Sequence, residues 1–79
     1  MKKRKNREDY NAFRIVGSNT SKARIEKGIS IKTFSEISGI STRYLKKIEN
    51  GEAFGMTTDH LFKIAEALQV KISYLLKEE

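Results

Sequence analysis

Apolar residues recur along this chain at the three- and four-residue spacing of amphipathic helices, with glycine and hydroxyl side chains between the repeats. Val16, Thr20 and Ala23 space out the inner face of a first helix, and Tyr10 and Phe13 extend that face backward by a turn. This helix is predicted to start between Asp9 and Phe13, to end near Lys27, and to be stopped by Gly28. A second helix over 31–38 follows its cap Ser30, with Phe34 and Ile37 three apart on one face. Gly39 gives the backbone freedom for a sharp turn. Ser41 caps a third helix over 42–50, and Ile40, Leu45 and Ile48 carry the apolar side through the turn into it. After a loop at 51–56, Thr57 caps a fourth helix with Asp59 in its first turn and a stripe of Leu61, Ile64, Ala65 and Leu68. A short fifth helix is predicted over 73–77. Five helices and no strand make the expected fold all-α.

Residues 29–51 carry the most information. Two short helices joined at a glycine put an apolar back on the third helix, while Thr42, Arg43, Lys46 and Lys47 form its polar front. A short helix with a basic, hydrogen-bonding front is what a major-groove reader needs. The competing interpretation of this front is an ordinary solvated helix face.

Composition narrows the classes. Seventy-nine residues with 38% hydrophobic content suffice for one small core, which oligomerisation would help to stabilise. The absence of cysteine excludes a disulfide framework and a thiolate metal site, and fits a cytoplasmic protein. No signal peptide is expected, because no apolar stretch follows the basic start, and no run reaches membrane-span length. The net charge of +6 makes nucleic acid a natural partner by sign. It is uneven. Lys2, Lys3, Arg4, Lys5 and Arg7 against Glu8 and Asp9 leave +3 on residues 1–9, and residues 10–79 carry the other +3. Residues 1–9 are expected as a basic flexible arm and 10–79 as the folded domain. The arm either lies along phosphates or enters the minor groove next to the helix site, or it serves only solubility. His60, the only histidine, has no neighbouring ligands to make a metal site. No catalytic set, nucleophile motif or glycine-rich phosphate loop is present, so no enzyme and no cofactor are expected.

The order and spacing of several segments resemble the Cro/CI-repressor type, or XRE family, of helix-turn-helix DNA-binding domains. They are Ala23-Arg24, Lys27-Gly28-Ile29-Ser30, Phe34, Ile37, Gly39-Ile40-Ser41, Ile48-Glu49-Asn50-Gly51, Lys63 through Leu68, and Leu75-Leu76. The resemblance covers about Val16 to Leu76 and implies a compact five-helix, lambda-repressor-like fold. It places Thr42, Arg43, Lys46 and Lys47 at base edges, with Arg43 suited to a bidentate pair with guanine. It places Ser30, Lys32, Thr33, Ser41, Tyr44 and Thr57 against the DNA backbone, Tyr44 having packing against helix four as its alternative. It implies a structural ion pair of Arg24 with Glu49. It further implies a homodimer through Val70, Ile72, Tyr74 and Leu75, with two copies of helix three about 34 Å apart on an inverted-repeat operator. The alternative for the last segment is that Ile72 and Leu75 finish a monomer core. Two departures stand out. Ile31 occupies a position where relatives commonly carry glutamine, and the loop Glu52-Ala53-Phe54-Gly55-Met56 is apolar and acidic where relatives are often basic. The expected function is a cytoplasmic, sequence-specific transcriptional regulator of double-stranded DNA, a repressor of the phage, mobile-element or restriction–modification controller type. Other classes are a protein-interaction module such as an antitoxin, with a second protein as partner, and a non-specific nucleic-acid binder.

Overall fold

The computed structural model describes the backbone of residues 2–78 and the side chains of residues 11–78. Among these the elements are α1 (Lys2–Glu26), α2 (Ile31–Ser38), α3 (Thr42–Glu49), α4 (Thr58–Leu68) and α5 (Ile72–Leu75), with no strand. The core is built from one residue stripe per helix. Ala23 of α1, Phe34 of α2, Leu45 and Ile48 of α3, Ile64 and Leu68 of α4 and Leu75 of α5 meet there, joined by Ile40 from the turn and Ala53 from the loop. Burying a full aliphatic or aromatic side chain contributes about 1.5–3 kcal/mol, so these few residues supply most of the drive to fold.

Local chemistry sets the helix ends. The Ser30 hydroxyl accepts from the Thr33 N–H, Ser41 from Tyr44, and Thr57 from His60. Gln69 ends α4 at φ 56°, the left-handed region where glycine is usual.

Four expectations are corrected. First, α1 begins at Lys2 rather than between Asp9 and Phe13. Lysine, arginine and glutamate favour helix, and no glycine or proline interrupts 2–16, so the backbone remains helical without apolar periodicity. The side chains of Lys2, Lys3, Arg4, Lys5 and Arg7, expected as an arm, lie outside the described residues. Second, Ile37 is 55% exposed. The inward stripe of α2 runs Ile31, Phe34, Ser38, and Ser38 takes the buried place because its hydroxyl accepts the Ile40 N–H at 3.1 Å. Third, α5 spans Ile72–Leu75 rather than 73–77. Fourth, Leu75 is fully buried within the monomer and has no surface to offer a dimer.

The last correction has a visible cause. Asn19, buried in α1, donates through Nδ2 to the carbonyls of Leu75 and Lys77, both at 2.9 Å. A buried amide satisfied in this way ties the end of α5 to α1 and turns Leu75 inward.

Candidate nucleic-acid interface

The turn between α2 and α3 is held by serines on both sides of Ile40. Ser35 Oγ donates to the Ile40 carbonyl at 2.6 Å, while Ser38 Oγ accepts the Ile40 N–H. Gly39 adopts φ 76°, a conformation that costs a side-chain-bearing residue about 1–2 kcal/mol. With both backbone groups of Ile40 paired and its side chain in the core, α3 leaves the turn in one direction.

The far end of α3 is fixed by α1. Arg24 Nε donates to Glu49 Oε2 at 2.8 Å and its Nη2 donates to Oε1 at 3.2 Å, a bidentate contact. The third guanidinium nitrogen, Nη1, donates to the Ile29 carbonyl at 2.9 Å, so Arg24 also holds the α1–α2 connection. The side chains are only 17% and 11% exposed. The hydrogen bond to Glu49 raises the guanidinium's proton affinity above its ordinary value, against the opposing effect of burial. The structure thus brings together the two residues that the family resemblance pairs.

The front of α3 is open. Thr42, Arg43, Lys46 and Lys47 are exposed, and none of the three cations has an acidic partner among the described residues. Lys46 and Lys47 in the last turn also complement the helix dipole. Three unneutralised cations and a hydroxyl on one helix face, with Leu45 and Ile48 anchoring the opposite face, give a surface that can approach polyanions without unpacking the core.

Ser30, Lys32 and Thr33 stand at the start of α2, with Ser30 Oγ donating to Thr33 Oγ1 at 3.2 Å. Tyr44 of α3 lies against His60 of α4, ring centroids 4.9 Å apart at 38°. His60 Nδ1 accepts the Thr57 N–H at 3.0 Å while Thr57 accepts the His60 N–H, a reciprocal cap. The Tyr44 ring thus packs on α4 through His60. Ile31, which replaces a hydrogen-bonding side chain, packs against the core. In the unusual loop Ala53 is buried, Met56 packs on the core, and Phe54 stands edge-on to Phe13 at 5.2 Å.

Sequence reading alone missed Gly17, Asn19 and the His60 cap. Gly17 sits where α1 meets the end of α3, and a Cβ there would run into the Ile48 carbonyl oxygen. Thr57 and His60 do stand at capping-box spacing, a signal available from the sequence, although histidine in place of glutamate disguises it.

A supported cationic helix following a serine-braced turn in an all-α domain is the architecture of a DNA-binding helix-turn-helix module. A helix-turn-helix family model matches residues 21–75, well over half of the chain, and the protein belongs to that family, the Cro/C1-type or XRE class of DNA-binding transcriptional regulators. Among solved structures the chain is similar to the restriction-modification controller protein C.AhdI from Aeromonas hydrophila. The TM-score is 0.75 and the identity 25%, over 80% of this chain and 94% of that one. No curated protein matches the sequence.

Proposed function

We propose that this regulator is a cytoplasmic, homodimeric repressor that binds an inverted-repeat operator and blocks transcription by occupying it. The observation that carries the reading is the α3 front, where Thr42, Arg43, Lys46 and Lys47 are exposed on a helix braced at both ends and the three cations have no acidic partner among the described residues. In this reading Arg43 donates a bidentate pair to guanine and Thr42 offers its methyl group or hydroxyl to a base. Lys47, one turn on from Arg43, reads the same groove, and Lys46 reads at its edge. Ser30, Lys32, Thr33, Ser41, Tyr44 and Thr57 contact the DNA backbone, which sets register without reading sequence. The basic residues Lys2 to Arg7 add phosphate contacts outside the half-site.

Val70, Ile72 and Tyr74 are partly buried, and Leu76 is 51% exposed beside them in sequence; in this reading their exposed parts meet a second copy. The likeness to the restriction-modification controller protein C.AhdI supports a controller-type role. No catalytic step or cofactor enters this reading. Among the described residues no cluster of histidine, cysteine and carboxylates could hold a metal, and no helix is long and apolar enough to cross a membrane.

Titration of labelled duplexes by fluorescence anisotropy tests the assignment of roles. Arg43→Ala should weaken operator binding by about 1–3 kcal/mol and relax preference at one base position. Lys32→Ala should weaken all sequences alike and reduce the salt slope by about one. Operator affinity that survives Arg43→Ala but vanishes on deletion of residues 1–7 would instead mark a non-specific binder working through its basic end.

A further inference from the structure

Gly17 is buried in the middle of α1. A Cβ placed there would overlap the Ile48 carbonyl oxygen and come within 3.1 Å of the Glu49 carbonyl oxygen and the Gly51 nitrogen. All three obstacles are backbone atoms of the α3 terminus, so no side-chain rotation relieves them. The approach is reciprocal. Gly51 has φ 76°, and a Cβ on it would meet Arg14 Cγ at 2.9 Å and Arg14 Cα at 3.1 Å. Two turns after Gly17 on the same stripe of α1, Arg24 grips Glu49. Backbone thus packs on backbone at one point and a bidentate ion pair closes the next.

We infer that Gly17 and Gly51 are positioning residues for DNA reading, setting how closely α3 lies on α1 and so where its front stands relative to the proposed backbone contacts of α2 and α4. The inference rests on the reading role proposed for α3. The start of α3 is already fixed by the grip of Ser35 and Ser38 on Ile40. The remaining adjustable dimension is the α1–α3 spacing, and the missing side chain at Gly17 holds it at its minimum. Hydrogen bonds to base edges need donor–acceptor distances of about 2.7–3.2 Å, and the supporting scaffold must hold them to about 0.5 Å. Any side chain at position 17 parts or tilts the two helices. It thereby moves Arg43 and Lys47 relative to Ser30, Thr33 and Thr57, while leaving the charge of the surface untouched. Sequence-specific binding then suffers, and charge-driven non-specific binding does not.

The test compares Gly17→Ala with the natural chain on a selected operator duplex and on a scrambled duplex of equal length. It is run below the unfolding temperature, with folding verified by circular dichroism. The expected result is a loss of tenfold or more in operator affinity with scrambled-duplex affinity unchanged, together with backbone amide shifts concentrated in 42–51. An unchanged ratio of operator to scrambled affinity in folded Gly17→Ala overturns the inference. Should that variant fail to fold, Gly51→Ala carries the same test, because its Cβ would meet Arg14 of α1 across the same contact. A reduced operator-to-scrambled ratio is expected, and a natural ratio overturns the inference. Failure of the natural chain itself to distinguish the two duplexes would remove the reading role, an outcome distinct from either.

Discussion

At Arg24 one guanidinium meets a carboxylate on α3 and a carbonyl before α2, so a single side chain joins three elements. Removing it leaves Glu49 partly buried with no cation, a situation that typically costs about 3–5 kcal/mol. Arg24→Ala should therefore lower the midpoint of urea unfolding sharply, with each lost kcal/mol moving the melting temperature by about 4–8 °C. A melting temperature equal to that of the natural chain would show that the pair contributes nothing. Arg24 and Glu49 are 25 positions apart, and only the family resemblance makes their pairing legible in the sequence. Other single residues are not legible at all. Gly17 has no sequence signature, because its importance lies in the distance between two backbones. Ile37 misled because three-residue spacing fits either side of Phe34, and the hydrogen bond that draws Ser38 inward decides between them.

Among the elements, caps were the most readable signals. Ser30, Ser41 and Thr57 each accept the N–H three residues on, as hydroxyl residues before apolar repeats should. Each such cap contributes on the order of 1 kcal/mol. The least readable boundary was the start of α1, where charged helix formers continue the helix beyond its apolar face. The end of α4 carries a testable conflict. Gln69 sits at φ 56° and ψ 46°, a conformation that glycine adopts freely and that costs other residues about 1–2 kcal/mol. After allowance for the greater unfolded-state freedom of glycine, Gln69→Gly should stabilise the domain by up to about 1 kcal/mol, read as a higher urea midpoint. A lower midpoint would mean that the glutamine side chain does more than end the helix.

For the whole molecule, charge and fold act together. The long-range attraction of a +6 chain brings DNA near, and in the proposed reading the braced α3 front supplies the discrimination that charge alone lacks. In the proposed two-fold arrangement the partly buried Val70, Ile72 and Tyr74 would meet a second copy, while Leu75 is buried in the core. Sedimentation of the natural chain at micromolar concentration should show a dimer, and Tyr74→Asp should shift it to monomer without unfolding. A monomeric natural chain that still binds a single half-site would retire the two-fold arrangement. The central claim, that α3 reads base sequence, meets its most direct test in selection from a randomised duplex library at roughly 0.15 M salt, where charge-driven binding is weakened. The expected result is enrichment of an inverted repeat with half-site centres one helical turn apart, about 10–10.5 base pairs, and loss of that enrichment with Arg43→Ala. A folded protein that enriches no sequence would contradict the claim.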